Sequence, residues 1–232
     1  AVAAGQGQLE IVQLLLDAGA DVNGTMTGSV YKPYPGENVS ALQEAIRGDY
    51  ITVVELLLNN EADVNHTSSG DATALHMAAR NNRAEMIPLL LEHGADPTKL
   101  TSNPDGYSAL TNAATYSNFE AIQALLEGGV DVDGKDDLGL STLMKLIDRS
   151  VQASLAELVA LLLEGGADPN AQDNFGNTAL HHAARFSKPE AIPPLLEHGA
   201  ALDIENNNGE TPLDVAASDE IRRLLGGTGA AE

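Results

Sequence analysis

Cysteine and tryptophan are absent from these 232 residues, aromatic side chains make up 3%, and Lys and Arg number 12 against 34 Asp and Glu. Without cysteine there is no disulfide, no catalytic thiol and no thiolate zinc site. With so few aromatics, one large central core is a poor expectation, and a fold of many small Leu and Ala layers suits the composition better. The formal net charge of -22 repels phosphate backbones and anionic lipid surfaces, so neither nucleic acid nor a membrane surface is an expected partner. The same charge either draws in a basic protein segment or only keeps the chain soluble. No apolar run approaches the ~18 residues that a membrane span needs.

What the chain does have is a period. Leu-rich runs end in a Gly-Ala-Asp-like step at Gly19, Gly94, Gly129, Gly166 and Gly199, with Glu61 replacing the glycine once. A second anchor runs in phase, a hydroxyl residue two before a leucine: Ser40, Thr73, Ser108, Ser141, Thr178 and Thr211. The shortest and commonest step in both series is 33 residues, and the longer ones mark insertions. Each unit reads as two short helices. The Ser or Thr caps the first. Paired alanines such as Ala78-Ala79, Ala113-Ala114 and Ala183-Ala184 let the second approach closely. That second helix carries apolar residues at helical spacing, as in Ile11, Val12, Leu14, Leu15 and Leu16. The glycine suits a position past the helix end that needs positive φ, and the polar stretch after it turns the chain into the next unit.

The stretches TALHMAA (Thr73–Ala79), TALHHAA (Thr178–Ala184) and TPLDVAA (Thr211–Ala217) resemble the signature of the ankyrin repeat, a helix pair of ~33 residues. The resemblance covers nearly the whole chain. It implies an all-α solenoid of about seven helix-turn-helix units joined by hairpin loops, over 1–35, 36–68, 69–103, 104–136, 137–173, 174–206 and 207–225, with a flexible tail over 226–232. Because a single unit cannot bury its own apolar face, the units are expected to fold as a stack. Ala1 falls at the histidine of the first signature, so the sequence opens inside a repeat and reads as a segment of a longer chain.

Three places depart from the period. The 24–39 insertion carries Tyr31 and Tyr34 close to two prolines, Pro33 and Pro35. It reads either as a finger that grips a partner or as a tolerated long loop. Smaller insertions lie near Thr101–Pro104 and Asp148–Ser154.

In the ankyrin family, partners meet the exposed side of the first helix and the hairpin tips. Carried over by position, that surface comprises Met77, Arg80, Tyr107, Asn112, Tyr116, Leu140, Lys145, Arg149, Phe175, His182, Arg185 and Phe186, with Tyr31 and Tyr34 from the insertion. Five of the twelve basic residues fall on it, Arg47 being the fifth beside Arg80, Lys145, Arg149 and Arg185. Arg and aromatics are the types enriched at binding hot spots. The plain alternative is that each cation pairs with a nearby carboxylate.

Catalytic chemistry finds little support. His76 and His181 sit in the T-x-L-H signature, where the resemblance implies a structural role. His93 and His198 share one position three repeats apart, about 30 Å at ~10 Å per repeat, so no metal bridges them. Asp131–Asp137 is calcium-like but fails the EF-hand pattern at Lys135. The sequons at Asn23, Asn38 and Asn65 read as turn residues, and the resemblance also implies hydroxylation of Asn23 or Asn65. The expectation is therefore a monomeric, intracellular (cytoplasmic or nuclear) protein-binding module without enzymatic activity, cofactor or metal. Its partner is a protein or peptide, basic if charge steers it. The rival readings are a regulatory array acting in cis on a catalytic or channel domain, and a small-ligand or enzymatic site near the 24–39 insertion.

Overall fold

A computed structural model of the chain describes residues 1–27, 38–102, 106–149 and 154–226. The chain divides into two compact units, Ala1–Val130 and Asp131–Glu232.

In the N-terminal unit the helices come in pairs: α1 (Val2–Gly5) with α2 (Leu9–Asp17), α3 (Ala41–Arg47) with α4 (Ile51–Asn59), α5 (Ala74–Arg80) with α6 (Met86–Glu92), and α7 (Ala109–Thr115) with α8 (Phe119–Glu127). Each of the last three pairs starts at an anchor hydroxyl. Ser40 Oγ accepts from Gln43 N (3.2 Å) and Ser108 Oγ from Thr111 N (3.1 Å), which satisfies one of the free N–H groups of the first turn. The first helices stack on one another, α1 on α3, α3 on α5 and α5 on α7. Ala78, Ala79, Ala113 and Ala114 are buried in those contacts. A bulkier residue there would force the backbones apart.

The C-terminal unit repeats the plan with α9 (Thr142–Asp148) and α10 (Leu155–Glu164), then α11 (Ala179–Arg185) and α12 (Ile192–Glu197), and closes on α13 (Asp219–Leu224). Ser141 Oγ accepts from Met144 N (3.4 Å). The last repeat differs from expectation, because Thr211-Pro-Leu213 opens a turn and no first helix follows. Asp214 takes both Thr211 N (2.8 Å) and Thr211 Oγ1 (2.6 Å), closing the segment on itself. Ser218 then caps α13 instead.

The glycines that end the second helices have φ of 76° to 95°, and Glu61 is held at 63° in the same role. Beyond Gly19, Glu61 and Gly166 an asparagine reaches from one turn to the next. Asn23 Oδ1 accepts from Asp63 N (2.7 Å), Asn65 Oδ1 from Asp96 N (2.8 Å) and, in the C-terminal unit, Asn170 Oδ1 from Ala201 N (2.8 Å). These asparagines are turn residues that also stitch repeat to repeat.

Two features lie outside the expected pattern. The insertion is bounded by an antiparallel pair, β1 (Thr25–Thr27) with β2 (Asn38–Ser40), so the helical plan carries a small sheet. Tyr31 and Tyr34 lie outside the described residues, as do 103–105, 150–153 and 227–232, where the smaller insertions and most of the expected tail fall. In α2, Val12 is buried while Ile11, Leu14 and Leu15 are exposed, although their spacing is that of a buried face. The internal α4 is covered by both α2 and α6 and buries Val53, Val54, Leu57 and Leu58. Among the described residues, α2 has such a neighbour on one side only.

Candidate functional surfaces

The signature histidines belong to the stacking machinery. His76 Nδ1 accepts from Thr73 N (3.3 Å), so its proton sits on Nε2, which donates to Tyr107 O in the next repeat (3.0 Å). His181 does the same between Thr178 N (3.1 Å) and Glu210 O (2.9 Å). Burial pushes the pKa of His76 down to about 4, with a backbone hydrogen bond acting the other way. Burial likewise lowers that of His181. In the second repeat Gln43 holds this position. Its Oε1 accepts from Ser40 N (3.1 Å) and its Nε2 donates to Ala72 O (3.0 Å) and His66 O (3.2 Å). An amide thus performs the same bridge without titrating, and its signal in the sequence was the Ser-x-x-Gln capping box.

In the N-terminal unit, the expected partner surface is narrow. Met77, Tyr107 and Asn112 are buried. Arg80 and Tyr116 are exposed, and the Arg80 guanidinium carbon lies 5.0 Å from the centre of the Tyr116 ring. Such a cation–π contact holds both groups in one orientation. Arg47 is tied to the buried Glu44 (3.2 Å).

The C-terminal unit has more to offer. Lys145 and Asp136 form a buried ion pair at 2.9 Å. Asp136 Oδ1 also accepts from Leu138 N and Leu140 N (2.9 Å each). The calcium-like stretch is therefore built around a turn and a lysine, and no cluster of His, Asp and Glu suited to a metal occurs among the described residues. His182, also buried, stands between two carboxylates. Nδ1 is 2.6 Å from Asp148 Oδ1, and Nε2 is 3.1 Å from Asp173 Oδ2. Burial, the largest single influence, lowers its pKa, but the hydrogen bonds and charges of Asp148 and Asp173 outweigh it and the net shift is upward. Asp173 is fixed in turn by Phe175 N and Asn177 N (2.8 Å each).

This Asp–His–Asp row borders an open cavity of about 360 Å³, whose walls include Leu138, Leu140, Phe175 and Phe186. Phe175 is 60% exposed and Phe186 47%, and the Phe186 ring stacks on His182 with centroids 6.2 Å apart. Arg185 stands at the same cavity, within 3.4 Å of Asn177 Oδ1 and 3.9 Å of Glu210. Arg149 is half-buried, and its carbonyl accepts from Lys188 Nζ (2.6 Å). Of the expected surface, the cavity brings together Leu140, Phe175, His182, Arg185 and Phe186, while Lys145 and Tyr116 are not among its lining. By register Asp148 falls on the same surface as His182, whereas Asp173 was missing from the sequence-based set.

Profiles for ankyrin repeats match residues 1–101 and 147–230 as three-copy arrays and 105–134 as a single repeat. Human "Palmitoyltransferase ZDHHC13" is 31% identical over 155 residues, 67% of this chain and 24% of that protein. The bovine "Mitochondrial disaggregase" is 35% identical over 158 residues, 68% of this chain and 23% of that one. This chain thus spans about a quarter of the length of these relatives. Among solved structures, the ankyrin repeat domain of Bcl-3 is similar with a TM-score of 0.81 and 28% identity, over 97% of this chain and 96% of that one. The human ASB11 ankyrin repeat domain gives 0.72 and 30%, over 99% and 97%.

Proposed function

The chain belongs to the ankyrin repeat family, and on that premise we propose that it is the protein-recognition part of an adaptor or of a larger protein, with no catalytic chemistry of its own. The observation that supports this reading is the company of exposed aromatic rings in each unit: Tyr116 beside Arg80, and Phe175 with Phe186 at an open cavity. Rings of this size left in water at turns and helix ends are the raw material of binding hot spots. The strip's own cations are largely answered locally, Arg47 by Glu44, Lys145 by Asp136 and Arg185 by Glu210. What faces outward is the acidity of the chain, which favours a basic protein segment and disfavours nucleic acid. No described helix is long and apolar enough to cross a membrane.

A second reading has its own support. The relatives carry names of an enzyme and of a disaggregase, and this chain corresponds to a fraction of each. A recognition array that governs a catalytic domain of the same polypeptide would look the same at this surface.

Both readings require the aromatic rings. Replacing Tyr116, Phe175 and Phe186 together by alanine is expected to abolish specific capture of partner proteins from an extract of the source organism, a loss of about a hundredfold or more. The circular dichroism spectrum should stay that of the parent, because these rings are about half exposed. Full capture by the folded triple variant would overturn the proposal.

A further inference from the structure

The cavity of the C-terminal unit has a composition more specific than protein binding requires. We infer that it receives the side chain of an arginine from a basic segment of the partner. The inference rests on the protein-binding reading and narrows it to one chemistry.

The cavity, about 360 Å³, is at the small end of the range of ligand sites (~300–1,000 Å³), enough for one long side chain. It has two kinds of wall. Phe175, Phe186 and Leu138 present apolar surface, all of them 47% exposed or more. Asp148 and Asp173 present carboxylates. Ring faces beside carboxylate oxygens are what a planar guanidinium recognises, since it stacks on the one and donates paired N–H bonds to the other. Its aliphatic stem matches the leucine.

The two carboxylates are not equivalent. Asp173 is buried and spends its oxygens on Phe175 N, Asn177 N and His182. The Asp148 side chain is 28% exposed, and His182 holds only Oδ1. Its Oδ2 has no protein partner among the described residues. Asp148 is therefore the carboxylate able to receive a donor. Any occupant that covered it without supplying one would strip water from a charge and gain nothing in return, which penalises aliphatic and aromatic side chains there.

The local charge agrees. Asp148, Asp173 and Glu210 stand against Arg185 and His182, so carboxylates outnumber cations even with the imidazole protonated. Arg185 does not occupy the guanidinium position itself, because it turns to Asn177 Oδ1 (3.4 Å) and Glu210 (3.9 Å). An acidic side chain would meet this surplus and the chain's net charge of -22.

The test uses the whole chain, ¹⁵N-labelled, titrated with doubly capped pentapeptides Gly-Gly-X-Gly-Gly in which X is arginine, its neutral isostere citrulline, norleucine or phenylalanine. The arginine peptide should shift the amide signals of Phe175, Phe186 and Leu138 and bind about tenfold more tightly than the citrulline peptide. Asp148→Asn should reduce arginine to the citrulline level while leaving citrulline within about twofold, and Phe175→Ala should weaken both. Equal binding of arginine and citrulline to the parent protein would overturn the inference whether or not the variants fold. Preference for norleucine or phenylalanine at the same signals would also overturn it, yet would leave the protein-binding reading standing with an apolar anchor. Shifts with no peptide would remove the cavity from the partner surface, and the aromatic triple variant would then decide the broader reading alone.

Discussion

Thr73–Ala79 and Thr178–Ala184 read TALHMAA and TALHHAA, and the single different residue separates two environments. The shared part behaves identically in both units, with a cap, a bridging histidine and paired alanines buried against a neighbour. The turns before them also agree. Ser68 N donates to Ala72 O (3.0 Å), as Asp173 N does to Asn177 O (2.9 Å). At the odd position, however, Met77 is buried as an apolar filler and His182 as a polar one. In register with Asp148 and Asp173, the N-terminal unit has Arg47 and Ser68. The signature therefore builds the stack and is indifferent to the fourth residue. That residue, with partners one repeat away, sets the chemistry of the surface.

The strongest way to sharpen the comparison is through the histidine that both stretches share. His76 has a folded pKa of about 4 against an ordinary 6.5. Below pH 6.5 the unfolded chain takes up a proton that the folded chain refuses, because burial disfavours the charged imidazole. Stability is then full above about 6.5 and lost as pH falls toward 4, by about 3 kcal/mol from this group. His76→Gln copies the bridge that Gln43 already makes. It should match the parent in urea unfolding at neutral pH and lose about 3 kcal/mol less on acidification. An equal acid loss in the variant would show that other groups carry the dependence.

Next in size is the transplant of one environment's residue into the other. Met77→His places an imidazole in a buried site where the register offers Arg47 and Ser68 in place of two aspartates. A polar group buried without matched partners costs about 2 kcal/mol. Its imidazole should titrate below the ordinary value by NMR, while that of His182 in the same molecule titrates above it. A Met77→His imidazole titrating above the ordinary value would mean that the carboxylates are not what distinguishes the two sites.

How much of this was legible beforehand follows from the distances along the chain. Caps, helix pairs and turn glycines repeat within each ~33-residue period, so one occurrence checks another. Glu61 could be assigned a glycine's place before its positive φ was seen, because five other repeats put glycine there. The partners of His182 offered no such check. Asp148 lies 34 residues away and Asp173 nine, on different elements, and neither position recurs as a carboxylate in the other unit. Aligning the repeats by phase placed Asp148 near His182 but did not say that the side chains meet. Register likewise assigns Met77, Asn112, Lys145 and His182 to the first-helix side and Tyr107 to the turn before one, yet all five are buried. Position within a repeat does not reveal how far neighbouring side chains cover it. The aromatics at the helix ends, Tyr116 and Phe186, protrude past that cover, as does Phe175 in its turn.

The smallest expected effect comes from making the C-terminal stretch identical to the N-terminal one. His182→Met keeps the apolar volume and removes two hydrogen bonds to carboxylates. Asp173 retains Phe175 N and Asn177 N, and Asp148 is open enough to regain water, so neither is left bare. The net cost should be about 1 kcal/mol, well short of unfolding the stack. Its pH dependence is the sharper mark. The folded pKa of His182 is raised, so its stabilisation is full below the unfolded value near 6.5 and fades as pH rises through the folded one. Parent and variant should therefore differ most in mild acid and converge in alkali, opposite to the pattern for His76. A difference that grew with pH would mean that the imidazole is held neutral, and that Asp148 and Asp173 do not act on it as charges.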